Sequence, residues 1–308
     1  MLSYFKFTDD GVALSEPKEA AFLNLEDPTQ DEIDHVERDL KIPRTFMNDP
    51  LDLRERPRID QEPPVTLVIV RVSRYPFSQT PHRHTTIPLG IIITKDKIVT
   101  ICRDKGLVME LLGRASRKPR PNCRTSLAFK LLIESSTDFI RHLERLEELT
   151  DKAESTLSKA QHNEEIMMLL SIDKDLINLS VALRSNRGIM EKLMENSLIH
   201  LRPDEMDLLE RALTENQQAI YTAEIFGQIL GSVSDVFGTI ISNNLNKVVK
   251  FLTGITIILM LPTLIAGLYG MNVALPLSGL RHAFWIILLV CSISGILLWI
   301  FFSRKKWV

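Results

Sequence analysis

Beyond Asp235 the chain contains no aspartate or glutamate. That absence excludes a dry anionic cage for a bare divalent ion in the last 73 residues, because protein sites for such ions are built from close oxygen anions. Cysteine is scarce: Cys102, Cys123 and Cys291 are the only three, with no CxxC pair among them. No disulfide framework follows, and a reducing compartment suits this usage. There is no Walker A run and no glycine-rich phosphate loop, which argues against a nucleotide-driven pump. The histidines and cysteines show no nucleophile–base spacing, so an enzyme is not expected. The N-terminal MLSYFKFTDDG lacks a basic stretch followed by an apolar core, so no cleaved signal peptide is expected. Neither a solenoid repeat nor a low-complexity tract occurs.

What is present is unevenly distributed. The 308 residues carry a formal net charge of −2. Residues 1–235 hold 31 basic and 39 acidic groups, whereas the remainder carries +6 from Lys247, Lys250, Arg281, Arg304, Lys305 and Lys306. An acidic aqueous part beside a basic membrane collar would gather cations through its field, although acidic surfaces also simply keep domains soluble.

Two uncharged runs close the chain, Phe251 to Tyr269 and Ala283 to Phe302. Each has the ~20 residues that a helix needs to cross ~30 Å of hydrocarbon. Basic residues flank the pair on its outer ends, and the intervening loop holds only Arg281 with His282 beside it. The positive-inside rule then places both termini in the cytoplasm and the loop outside. Tyr269, Trp285, Trp299 and Trp307 sit near the span ends as interfacial anchors.

The aqueous part divides in two. Residues 1–120 read as mixed α/β. Thr29 and Glu32 form a capping box before the amphipathic positions Ile33, Val36 and Leu40, and Pro43 closes that helix. Thr66–Val72, Ile87–Thr94 and Lys97–Cys102 are strand-like, the last two joined by a tight Lys95-Asp96 turn. The proline-bearing basic segment Arg114–Pro121 is a boundary loop. Residues 121–250 read as helical, with Leu127, Leu131, Phe139, Leu143, Leu146 and Leu149 at helical spacing. A second run holds Ile166, Leu169, Leu170, Leu176 and Leu179. Pro203 opens a third helix, with Asp204, Glu205 and Asp207 in its first turn. The next proline is Pro262, so the spacing predicts one long stalk helix running into the first span. Residues 251–308 form the transmembrane hairpin and its basic tail.

The first span is not apolar all round. Asn246, Val249, Thr253, Thr256, Met260, Thr263, Gly267 and Gly270 recur at spacings of three and four, and on an ideal helix they share a stripe about 120° wide. Phe251, Ile255, Ile258 and Ile265 lie opposite. Two readings stand. The stripe is a helix–helix seam, since small and hydroxyl residues let membrane helices approach. Alternatively it is a pore wall, with Met260 as an apolar constriction. A pore would need several copies about one axis, because two spans enclose nothing. Mg2+ sheds its water reluctantly, so a ring of Asn272 carbonyls and backbone oxygens would hold the hydrated ion weakly enough to release it.

Tyr269-Gly270-Met271-Asn272 at the outer end of the first of two C-terminal spans resembles the signature of the CorA family of magnesium transporters. Ser242-Asn243-Asn244-Leu245-Asn246, Lys305-Lys306-Trp307 and the early Leu23-Asn24-Leu25-Glu26-Asp27-Pro28-Thr29 resemble it too. The likeness spans nearly the whole chain and is stronger after Asp235. It implies an α+β cytosolic domain of α/β/α type, then long helices and two transmembrane helices, in a funnel-shaped homopentamer in the cell membrane. Gly270, Met271 and Asn272 would select the ion at the outer mouth. Asn246, Val249, Leu252, Met260 and Thr263 match pore-lining positions, and Thr253, Thr256 and Gly267 share that stripe. Asp235 matches an acidic stalk position that holds regulatory Mg2+ between subunits, closing the pore when internal Mg2+ is high.

Two departures accompany the likeness. The loop Val273–Gly279 has no acid where the family often has one. The stretch from Arg74 to Thr86, where a neighbour's acidic partner for Asp235 would be expected, has none either. Its His82 and His84 would suit a softer metal or a plain surface.

The expectation is a channel-like carrier of hydrated Mg2+ into the cytoplasm, gated by internal Mg2+. Partners are other copies, the bilayer and divalent ions, with no organic cofactor and no nucleic acid. The alternatives are a transporter of Zn2+, Co2+ or Ni2+ in the same superfamily and a non-conducting membrane sensor or scaffold.

Overall fold

The computed structural model describes residues 1–8, 11–74, 86–114, 124–157, 163–195, 201–273, 276, 281–305 and 307. Cys123, His82 and His84, most of the 114–121 loop and Lys306 lie outside the described residues.

The N-terminal half builds one seven-stranded sheet. Its strands are β1 (Leu2–Thr8), β2 (Gly11–Leu14), β3 (Phe22–Glu26), β4 (Arg58–Glu62), β5 (Val65–Ser73), β6 (Thr86–Ile93) and β7 (Ile98–Cys102). They lie side by side in the order β2-β1-β3-β7-β6-β5-β4. Every neighbour pairing is antiparallel except β3 with β7. The sequence-expected hairpin is β6–β7, with Ile93 opposite Ile98. The Thr94 hydroxyl donates to the Lys97 carbonyl at 2.9 Å and accepts the Lys97 N–H at 3.0 Å, which fixes the turn.

Side chains of a strand alternate between faces, and here both faces are covered. Leu23, Leu25, Val65, Leu67, Ile69, Val99 and Ile101 pack with α1 (Gln30–Leu40) and α2 (Arg44–Asn48). Helix α1 starts where expected, with both halves of the Thr29–Glu32 capping box formed, and stops at Lys41 in the left-handed region. On the other face, Val68, Val70, Val72, Leu89, Ile91 and Ile98 meet α3 (Leu107–Arg114), α4 (Arg124–Leu157) and α5 (Asn163–Glu195). This is the α/β/α arrangement. Burying both faces explains the near-continuous apolar runs in β5 to β7.

Helix α5 also completes a strand. The β4 pairing ends at Ile69 of β5, leaving the next edge groups open. Asn186 fills the gap: its amide accepts the Arg71 N–H at 2.9 Å and donates to the Arg71 carbonyl at 2.6 Å.

Helix α6 (Pro203–Tyr269) is continuous for 67 residues, and α7 (Ala283–Arg304) follows. Both are long and apolar enough to cross a membrane. The chain divides into two compact units, residues 1–231 and 232–308.

Candidate functional site

The membrane segment of α6 has two unlike sides. Gly254 is buried, and Ile255, Ile258, Pro262, Ile265 and Tyr269 are half-buried. On α7 the less exposed positions are Ala283, Ile287, Cys291, Ser294, Gly295, Leu298 and Phe302, again at helical spacing. Two contacts join these faces. The Cys291 thiol lies 3.7 Å from the Pro262 carbonyl, and a Cβ at Gly295 would rest 4.0 Å from the Pro262 ring. The seam within the hairpin therefore runs along Pro262.

The stripe read from the sequence lies elsewhere. At 100° per residue its centre falls roughly 180° from the centre of that seam. Asn246, Val249, Leu252, Thr253, Thr256, Met260, Thr263 and Gly267 are all exposed, Met260 at 66%. An open groove of ≈790 Å³ runs along Leu252, Thr256, Met260, Thr263, Gly267 and Met271, flanked by Ile255, Leu259, Leu264 and Leu268. The stripe is not a seam with α7, which occupies the other side; a seam with another chain and a pore wall both fit an exposed side.

The threonines present a particular chemistry. Thr256 Oγ1 donates to the Leu252 carbonyl at 2.8 Å and Thr263 Oγ1 to the Leu259 carbonyl at 2.7 Å. Each hydroxyl proton is thus turned inward, one helical turn back. The oxygen lone pairs remain to face outward, so the stripe offers acceptors rather than donors. Acceptors suit the protons of a cation's water shell. Residue spacing alone did not reveal this orientation.

At the end of α6, the Gly270 N–H donates to the carbonyls of Ala266 at 3.0 Å and Gly267 at 3.2 Å. The Met271 N–H reaches the Leu268 carbonyl at 3.3 Å. Tyr269 Oη donates to the Pro276 carbonyl at 3.3 Å and ties the following turn to the helix end. Gly270, Met271 and Asn272 are exposed. Gly270 is not in the left-handed region, and a Cβ there would meet only backbone oxygens at 3.5 Å. One chain alone gives no reason for glycine at this position.

Asp235 is exposed on α6, and its main-chain carbonyl accepts the Thr239 hydroxyl at 3.0 Å. Mg2+ demands near-octahedral oxygen ligands. Among the described residues no three His, Cys, Asp or Glu side chains come together around one point. A lone exposed carboxylate does not make a metal site within one chain. Further along, Val236, Ile240, Ile241, Leu245, Val248 and Val249 are exposed although they precede the apolar span. An apolar surface of this kind on an aqueous helix marks an interaction face.

Cysteine chemistry is absent from the described part of the aqueous unit. Cys102 is buried, and loss of solvation pushes its thiol up to about 12. It stays protonated and is neither nucleophile nor metal ligand at neutral pH.

Comparison with known proteins adds to this geometry. The chain is 24% identical to the cobalt/magnesium transport protein CorA of Methanocaldococcus jannaschii, over all of both chains. It is 21% identical to the protein of the same name from Thermotoga maritima, over 85% of this chain and 76% of that one. The complete structure of the M. jannaschii CorA magnesium transporter superposes with a TM-score of 0.82 at 21% identity, covering 100% of this chain and 99% of that one. Residues 17–305 match the family described as CorA-like Mg2+ transporter protein. The chain belongs to that family.

Proposed function

We propose that several copies of this chain, five by the family resemblance, form a channel-like pore that carries hydrated Mg2+ into the cytoplasm. The observation that carries this reading is the exposed acceptor stripe on the side of α6 opposite to its seam with α7. All three threonines of the span lie on this one exposed side, and a water column would use their oxygens. The apolar residues Val236, Ile240, Ile241, Leu245 and Val248 support a stalk contact between copies.

In this reading Asn272, with Gly270 and Met271, forms the outer ring. The side-chain carbonyl of Asn272 accepts hydrogen bonds from the water shell. Close approach of neighbouring copies accounts for glycine at 270. Met260 narrows the column, and Asn246, Val249, Leu252, Thr253, Thr256, Thr263 and Gly267 line it. Neutral oxygen ligands favour a hard, hydrated ion over softer metals. Both termini face the cytoplasm, where Lys247, Lys250, Arg304 and Lys305 lie beside the bilayer. The inside-negative potential drives uptake, at ~2.3 kcal/mol per elementary charge per 100 mV. Asp235 takes part in a regulatory Mg2+ site only through ligands supplied by a neighbouring copy.

The test is Mg2+ flux into liposomes that hold the purified protein under an inside-negative potential. Wild type carries Mg2+, hexa-ammine cobalt blocks it, and Asn272→Ala abolishes it while the protein still assembles. Flux that survives Asn272→Ala, or that ignores the hexa-ammine complex, overturns the hydrated-ion reading.

A further inference from the structure

A cleft of ≈880 Å³ opens in the aqueous unit between α5 and the segment before β4, far in sequence from the stripe. Its charge is one-sided. Arg54, Arg56, Arg71 and Lys174 line it, against Glu55 and Asp175. Glu55 is already paired with Arg58, which does not line the cleft.

Arg71 supplies a fixed charge. Its guanidinium donates to Thr86 Oγ1 at 2.8 Å and to the carbonyls of Leu53, Glu55 and Thr86 at 2.6–3.3 Å. All these acceptors are neutral, and no carboxylate lies among them. A half-buried cation whose partners are all neutral leaves a net positive field in the cavity beside it. Arg54, Arg56 and Lys174 are exposed on the cleft. Their side chains have no acidic partner among the described residues.

The α5 wall is mixed. Met167, Leu170 and Val181, each at least half exposed, surround Lys174 on it, with Ser171, Asp175 and Asn178 beside them. Met and aliphatic side chains give apolar contacts for the face of a heteroaromatic ring. The volume is in the range of small-molecule sites.

We propose that this cleft binds a nucleoside polyphosphate, with the phosphates on Arg54, Arg56 and Lys174 and the base against Met167, Leu170 and Val181. Arginine clusters recognise phosphate by charge-assisted hydrogen bonds. Binding here involves no hydrolysis, in keeping with the lack of a Walker A run. The site is independent of conduction, since none of its residues belongs to the stripe.

The experiment is calorimetry on the full chain in detergent, in Mg2+-free buffer of low ionic strength, with ATP, adenosine and pyrophosphate as separate probes. ATP binds, pyrophosphate binds more weakly, and adenosine binds weakest. The triple charge reversal Arg54→Glu, Arg56→Glu, Lys174→Glu lowers ATP affinity by about tenfold or more. All three positions are exposed, so the fold is spared, as helical circular dichroism would check. Leu170→Ser, which adds no charge beside Lys174, weakens ATP without changing pyrophosphate. No heat with ATP, unchanged ATP affinity in the triple variant, or pyrophosphate binding as tightly as ATP would each overturn the proposal.

Discussion

The two compact units of this chain treat their apolar residues in opposite ways. In residues 1–231 the large apolar side chains of the sheet are sealed between two helical layers. In residues 232–308 the buried hydrophobics among the described residues are Phe237 and Phe302, and most of the other large ones are exposed. Burial of apolar surface is the main force that holds a soluble fold together, so the first unit carries its own stabilisation. The second leaves its apolar faces exposed: lipid suits the span faces, and in the proposed assembly other copies would cover Val236, Ile240, Ile241, Leu245 and Val248. The polar residues follow the same division. The first unit places Asn186 where two main-chain groups need it. The second leaves a row of threonines with oxygens facing outward.

The largest expected effect lies in the second unit. Single cysteines along Thr253, Thr256, Met260 and Thr263, in a chain whose own cysteines are replaced by alanine, should react with a charged thiol reagent in assembled protein. Cysteines at Ile258 or Ile265, on the seam side, should not. A thiolate needs water, and charge in hydrocarbon costs about 3 kcal/mol, so a rate ratio of about a hundredfold is expected. Equal rates on both sides would erase the distinction between wet and dry faces, and with it the pore.

The side of α6 that carries the stripe was readable from the sequence alone. Three threonines and two glycines at three–four spacing define one side by helix geometry alone. The capping box at Thr29 and the strands β5 to β7 were equally legible, because buried strands need continuous β-branched runs. Strands β1 to β4 were not read. β1, β2 and β4 are short or half-buried, and segments such as Arg-Ile-Asp-Gln-Glu lack an apolar run; β3 is only five residues, with Asn24 breaking its apolar run. Tertiary pairings were also out of reach. Nothing local marks Asn186 as the partner of Arg71, 115 residues away, and the cleft cations come together only through the fold. The inward turn of the threonine protons depends on rotamers, which spacing does not encode.

Within the first unit the comparison sharpens around glycine. A Cβ on Gly90 of β6 would fall 2.4 Å from Cγ of Pro50 and 2.8 Å from Cγ2 of Ile101. Pro50 belongs to a rigid 3-10 turn (Asp49–Leu51), so the clash cannot be relieved by a flexible side chain. Gly90→Ala should lower stability by about 3 kcal/mol, the upper end of ordinary overpacking. Gly188 in α5 has nothing within 4 Å of its Cβ position. There alanine should add about 1 kcal/mol through helix propensity. Urea unfolding of residues 1–231 as a separate fragment reads both. If the two substitutions behave alike, the close packing of that unit is not what stabilises it.

An effect spread over pH tests whether the polar interior of the first unit is closed as tightly as its apolar one. His142 is buried on α4, and its Nδ1 lies 2.6 Å from the Ser73 hydroxyl on β5. Loss of solvation, then the positive charge of Arg145, lowers it to about 4 from the ordinary 6.5. The folded chain therefore keeps the neutral ring between these values, while the unfolded chain takes up a proton. Uptake by the unfolded state alone favours unfolding. Stability should be flat above pH 6.5, fall as pH drops towards 4, and lose about 3 kcal/mol across that window from this group. Carboxylates titrate below pH 5 as well, so the informative quantity is the difference between wild type and His142→Gln, which has no proton to gain. That difference should narrow steadily from pH 6.5 to 4. A constant difference would mean that water reaches the imidazole, and that the wall between the sheet and α4 is open where His142 sits.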